Sequence, residues 1–172
     1  MSKFFDLCSV WDETVERNTE YEKACHQFAK DLIQAFQNYF DVPEGRLNVM
    51  PLSPDERKPN TRYSIQAAMK KDSIYDPWFH FLMVLTMKNT PANPRNFELA
   101  PYIATAIFIR KDGDIFSVKN GVNGETNQVE QGDHEGIARL CENLFNSLME
   151  YASTDFIYQE NDPQRSIGFK TL

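Results

Sequence analysis

Two long apolar runs stand out in the pattern of hydrophobic and polar positions along the chain. One extends from Trp78 to Met87 and the other from Tyr102 to Ile109. Both are rich in β-branched and aromatic residues, and both are apolar on each alternating face, which is typical of strands buried on both sides of a sheet. Each is also too short to cross a bilayer as a helix. The pattern therefore predicts two central strands of a sheet that is covered on both faces.

Shorter β signals surround these two strands. Leu47 to Leu52 is predicted as a short strand, and the clean alternation from Arg62 to Lys70 predicts a half-exposed one. Asp112–Gly113 stands before a further strand, Ile115 to Lys119, and an Asp-Gly pair between two β runs favours a hairpin with a type I′ turn. We expect the polar, glycine-bearing stretch from Asn120 to Gly132 to be a mobile loop.

Helical periodicity precedes and follows the strands. Ser9 to Phe40 is predicted as one long helix or two short ones, with a clear apolar stripe from Cys25 onward, and Asp133 to Ala152 is predicted as a second amphipathic helix. In each case the first residue is a suitable N-cap. Because Glu16 to Glu22 is mostly polar, we expect this stretch to project into solvent or to cover something outside the domain.

This order of elements predicts an α+β fold: an antiparallel β-meander of four to five strands flanked by an N-terminal and a C-terminal amphipathic helix. Residues 1–152 are expected to form a single domain, and residues 153–172 a C-terminal tail that adds an edge strand or folds over the sheet. With both helices on one face, the other face needs a cover. The tail, the first helical segment or a second copy can supply it, and we favour a homodimer through this face.

Charge and cysteine content narrow the partners and the compartment. The net charge is −7, so the chain lacks the basic surface that nucleic acids and anionic membranes select, and we expect neither as a partner. Cys8, Cys25 and Cys141 are odd in number and widely spaced, which indicates reduced thiols and a cytoplasmic protein. The N-terminus has no signal-peptide pattern.

One histidine is the first candidate for chemistry. His80 lies in the middle of an apolar strand, where burial suits either a general base or a hydrogen-bonded structural histidine, and the structural interpretation is favoured. If a pocket lies between sheet and helices, its ligand-binding residues are expected to be His80, Trp78 and Tyr102. No sequence motif for catalysis, for a cofactor or for a metal is present.

Three further groups are interpreted as structural. Cys25 and His26 point about 100° apart on one helix and cannot easily share a metal. His134 and Glu135 suit the start of a helix, and Asp112–Gly113–Asp114 suits a hairpin turn better than a calcium loop.

Together these observations predict a non-enzymatic protein-interaction or chaperone-like binding protein, with a protein partner or a homodimer. It would bind through exposed apolar sheet surface and through acidic helix faces, which can recognise a basic partner. The alternative is a small-molecule-binding protein or enzyme with its pocket near His80. The layout of elements is similar in outline to type III secretion chaperones, which are dimeric and hold an extended segment of an effector. The meander lacks the middle helix that this resemblance implies, and the proline-rich stretch from Lys88 to Pro101 occupies its place.

Overall fold

The described residues form one antiparallel sheet of five strands, which a long helix precedes and a second helix follows. The computed structural model describes residues 2–58, 61–87, 102–122 and 124–153, without the side chains of 102 and 151–153. In chain order the elements are α1 (Lys3–Tyr39), β1 (Leu47–Met50), a 3-10 turn (Pro54–Glu56), α2 (Ile65–Ala68), β2 (Phe79–Thr86), β3 (Tyr102–Asp112), β4 (Ile115–Asn120), β5 (Thr126–Glu130) and α3 (His134–Ser153). None of the described helices is long and apolar enough to cross a membrane.

The five strands form a simple meander, in which each strand pairs with the next one along the chain. The predicted hairpin between β3 and β4 is present, but its turn is different from the predicted one. Asp112 pairs with Ile115, so the two central residues are Gly113 and Asp114, and of these only Gly113 has a positive φ, of 57°. A positive φ at the first central position alone is typical of a type II′ turn, because a type I′ turn needs it at both.

The main hydrophobic core lies between one face of the sheet and the helices. Phe28 of α1 stacks on Phe116 of β4 with ring centroids 4.1 Å apart, and Phe40 stacks on Phe145 of α3 at 4.3 Å. Strands β2 and β3 supply the fully buried centre of this core. Its sheet residues alternate with those of the opposite face, as the pleat requires. The face towards the helices carries Phe79, Phe81, Met83, Ile103, Ile107, Ile109, Phe116, Val118 and Val129.

The opposite face of the sheet is also buried at its centre. Val84, Ala104 and Ala106 are 4–8 % exposed, yet they do not belong to the core that the helices share. The prediction that the two central strands are buried on both faces is therefore confirmed.

Two sequence predictions near the ends of elements are wrong. Ser9 does not begin a helix, because α1 starts at Lys3 after Ser2 and runs unbroken through Ser9. Arg62 to Lys70 is not a strand. The Ser64 hydroxyl accepts a hydrogen bond from the Ala67 N–H and starts the short helix α2, so a local side-chain cap overrides the alternating pattern. Only Lys70 pairs in the sheet, with His80.

The stretch from Asn120 to Gly132 is likewise not a loop throughout, because it contains β5, which pairs with β4 over five residues. By contrast, the second helix lies where the sequence predicts it. The Asp133 carboxylate caps α3 by accepting a hydrogen bond from the Gly136 N–H at 2.8 Å. The predictions for Lys88 to Pro101 and for the tail beyond Ser153 lie outside the described residues.

Candidate binding surfaces

Trp78 carries two cationic side chains on the sheet face opposite the helices. The guanidinium carbon of Arg110 lies 5.1 Å from the Trp78 ring centroid, and the Lys119 Nζ lies 4.2 Å from it. Trp78 immediately precedes β2, Arg110 is on β3 and Lys119 is on β4, so three neighbouring strands bring the residues together. We name Trp78, Arg110 and Lys119 the Trp78 cluster.

His80 is a neighbour of this cluster and is 6 % exposed. Its Nε2 lies 2.9 Å from a carboxylate oxygen of Asp72, and its ring lies 5.8 Å from the ring of Phe108, the residue opposite it on β3. In the neutral ring Nε2–H donates to Asp72, and the buried Nδ1 is left as an acceptor with no partner among the described residues. The bond to Asp72 fits the structural interpretation of this histidine.

The strand register separates the three site residues that the sequence groups together. Trp78 and His80 are two residues apart in the chain. Their side chains therefore lie on the same face and at the same end of the sheet. Tyr102 lies opposite Thr86, at the far end of the same pair of strands. It is six residues from Phe108 along β3, or about 20 Å in an extended strand. The backbone therefore places Trp78 and His80 in one region and Tyr102 in another.

Sequence reasoning missed Arg110 and Lys119 as candidates. Both flank the hairpin turn, and the pairing of Arg110 with Ser117 and of Phe108 with Lys119 puts both cations on the face of His80. Once the turn residues are known, the alternation of side chains along β3 and β4 places Arg110 and Lys119 on the same face.

Other groups singled out by the sequence do not form reactive sites. Burial raises the pKa of both the Cys25 and the Cys141 thiol to about 11, which keeps them protonated and unreactive near neutral pH. Burial also lowers the pKa of His26. Among the residues that the structure describes, no three His, Cys, Asp or Glu side chains come together as potential metal ligands.

An open groove of about 540 Å³ runs between α1 and α3. Its floor is apolar and includes Phe28, Phe116 and Ile137, while polar side chains such as Gln27 and His134 form its rim. The groove offers shape and apolar area. Asp31 and His134 both line it, but among the described residues no hydrogen bond or ion pair joins the two.

The first part of α1 extends away from the core. Residues 3–16 include no buried side chain, and the hydrogen bonds formed by their side chains stay within α1. Phe4, Phe5, Leu7 and Trp11 are each 65–67 % exposed. We name residues 3–16 the free segment. At a rise of 1.5 Å per residue it is about 21 Å long.

The apolar side chains of the free segment continue the pattern of the buried part of the same helix. The buried residues of α1 include positions 25, 29, 32 and 36, which are separated by alternating steps of four and three. Counting back in the same steps passes the polar residues Glu22 and Asn18 and then reaches Val15, Trp11, Cys8 and Phe4. Such a heptad spacing keeps apolar side chains on one side of a helix. The stripe that packs in the core therefore reappears, exposed, at the tip of α1.

The charges of the free segment lie mostly away from this stripe. It contains four acids, Asp6, Asp12, Glu13 and Glu16, against the single base Lys3. In the heptad set by the stripe, all of the acids except Asp12 fall on the outer positions. The free segment is thus an apolar strip with an acidic back and a net charge of −3.

Comparison with known proteins gives no match to a protein family, a curated protein or a solved structure. The resemblance to type III secretion chaperones thus stays at the level of element order.

Proposed function

We propose that this chain is a non-enzymatic protein-interaction protein whose free segment binds an amphipathic helix of a partner protein. The observation that carries the proposal is the exposure of Phe4, Phe5, Leu7 and Trp11 on one helical segment outside the core. Helix-binding interactions commonly use anchors at spacings of three, four and seven residues, and aromatic anchors contribute most of the binding energy at many interfaces.

The charge of the free segment favours a basic partner. With a net charge of −3 over residues 3–16, a second copy of the same segment would bring like net charge together, although only Asp12 lies next to the stripe. A helix whose apolar stripe is accompanied by Lys and Arg would bring opposite net charge instead. We therefore infer a basic amphipathic helix as the occupant. The homodimer through the second face of the sheet stays a prediction, as does the chaperone-like role.

A pair of synthetic helices tests this proposal directly. One peptide has a Leu stripe flanked by Lys, and the other has the same stripe flanked by Glu. Fluorescence anisotropy of the labelled peptides should show saturable binding of the Lys peptide to the full chain and binding of the Glu peptide weaker by about tenfold or more. Light scattering on the same samples reports whether the protein pairs with itself in place of the peptide.

Two matched variants locate the binding site. Trp11→Ala removes an aromatic anchor of the stripe and should weaken binding of the Lys peptide by about tenfold or more. Val10→Ala removes an apolar side chain that is 59 % exposed but lies on an outer position of the heptad, away from the stripe. Binding should therefore stay within about twofold. Equal binding by the two variants, absence of binding by both peptides, or a dimer that excludes the peptide would refute the proposed occupant.

A further inference from the structure

We propose that the Trp78 cluster is a binding site for the phosphate group of a small phosphomonoester, independent of the free segment. The cluster lies on the sheet face opposite the main core, whereas the free segment belongs to α1, whose buried part packs on the other face. The sequence left open a small-molecule-binding protein with its pocket near His80. The proposed site specifies the chemistry of that ligand, a phosphate group.

The first argument is that the two cations of the cluster lack counterions. In the part of the chain that the structure describes, Arg110 and Lys119 have no carboxylate within 4.0 Å, although the protein as a whole carries a net charge of −7. Because both are measured to the same ring, the two cationic groups lie within about 9 Å of each other. Like charges at this distance repel each other in a partly buried site. A bound anion between them would replace the repulsion with two attractions.

The second argument is a buried donor without an acceptor. Among the described residues, the buried Nε–H of Arg110 has no hydrogen-bond partner. Because this Nε has almost no accessible surface, a ligand would contact the terminal amino groups of the guanidinium. The nearby acids are already engaged: Asp72 accepts from His80, and Asp76 accepts from the Trp78 backbone N–H at 2.9 Å.

The third argument concerns the shape and charge of the ligand. Arg110 lies directly opposite Ser117, and Lys119 directly opposite Phe108, so the planar guanidinium and the compact ammonium sit diagonally on adjacent strands of one face. Arginine suits two oxygens of one phosphate, and lysine adds a point charge. A phosphomonoester carries a charge of about −1.5 to −2 near pH 7, which matches two cations.

The size of the cluster favours a small ligand over a nucleic acid. Binding to a nucleic acid strand requires many cations along a continuous path. Here two half-buried cations stand on a chain of net charge −7. A single phosphate group attached to a small molecule is therefore the ligand class that fits.

The protein contains two tryptophans, Trp11 and Trp78, which makes the site observable. In a Trp11→Phe background, Trp78 is the only fluorescent tryptophan. Its ring lies against Arg110 and Lys119, the two residues proposed to bind the phosphate. Titration with phenyl phosphate should change its fluorescence to saturation, while titration with phenol should not. Higher salt should weaken the binding, since the attraction is between charges.

Matched variants decide whether the cluster is the site. Arg110→Gln and Lys119→Gln should each weaken phenyl phosphate binding by about tenfold or more. Lys111→Gln removes the same charge from the next residue of β3, whose side chain lies over Phe116 on the helix face, and should leave the affinity within about twofold. If Arg110→Gln fails to fold by circular dichroism, Arg110→Lys and Lys119→Gln carry the comparison. A signal that does not saturate, or equal affinities in all variants, would overturn the proposal.

Discussion

At the scale of single residues, burial decides the properties of the cysteines. Cys25 and Cys141 lie on the apolar stripes of α1 and α3, and the sequence predicts both as core residues, which is confirmed. Removal from water raises the pKa of each thiol to about 11. Cys8 has the same chemistry but lies half-buried on the free segment. The difference between Cys8 and Cys25 comes from where α1 enters the core, whereas Cys141 is buried by the packing of α3.

This contrast predicts the order in which the thiols react. Cys8 should react with a thiol reagent at neutral pH, while Cys25 and Cys141 should react only when the protein is unfolded. Counting released chromophore with Ellman's reagent, before and after denaturation, measures this directly. Cys8→Ser serves as the control, since it should abolish the native-state reaction. Fast native-state labelling of Cys25 or Cys141 would contradict the described core.

At the scale of elements, α1 combines a buried part and an exposed part in one helix. From Cys25 to Phe36 its side chains fill the core, whereas the free segment contributes no buried side chain. Hydrophobic periodicity predicted the buried part because its stripe is regular. It placed the helix start at Ser9, since that residue resembles a cap, although the chain continues as helix back to Lys3. The residues before Ser9 contain no Gly or Pro that would end a helix, so the cap signal does not decide where α1 begins.

The division of α1 predicts how truncation and core mutation differ. Deletion of residues 2–16 should change the free energy of unfolding by no more than about 0.5 kcal/mol, because the removed side chains bury little. Leu32→Ala, in the buried part of the same helix, should cost about 2–5 kcal/mol. Urea denaturation followed by circular dichroism compares them. A large loss on truncation would mean that the free segment packs on the domain.

Two assignments made from the sequence are wrong: Arg62 to Lys70 was predicted as a strand, and β5 was predicted as part of a loop. Arg62 to Lys70 alternates as a strand would, but the hydroxyl of Ser64 favours a helical turn, and the alternation alone cannot weigh these two influences. The strand β5 was missed because its sequence, Thr126 to Glu130, has a single buried apolar residue, Val129. An edge strand with one core contact has almost no hydrophobic pattern to read.

At the scale of the whole molecule, the fold class followed from the sequence, but the candidate sites did not. The α+β class and the antiparallel meander are confirmed, because two apolar strands, a hairpin turn and two amphipathic helices leave few arrangements. The Trp78 cluster depends on the register of three strands, which joins residues more than 30 positions apart in sequence. Periodicity within one segment carries no information about such neighbours.

Buried ionisable groups also set the alkaline limit of the whole fold. The two buried thiols have a pKa of about 11 in the folded protein, against an ordinary value of 9.0, and burial raises the pKa of Tyr21 as well. The unfolded chain therefore releases these protons at lower pH than the folded chain does. The free energy of unfolding should fall as the pH rises from about 9 to about 11.

Urea denaturation at pH 8 and at pH 10.5 measures this fall. Cys141→Ala should start from a lower stability, because it leaves a small cavity, but should lose less on going to the higher pH. A stability that is unchanged or increased between the two pH values would contradict the burial of these groups.

The continuity of α1 fixes direction as well as distance for anything bound at its tip. A helix has no swivel: each residue inserted between Val15 and Cys25 would rotate the tip by about 100° around the axis and advance it by about 1.5 Å. Seven inserted residues would restore almost the original azimuth at a greater reach, whereas two would turn the apolar strip to the far side. A partner bound at the tip would thus be held in a fixed direction, which the nine residues between the two stripes determine.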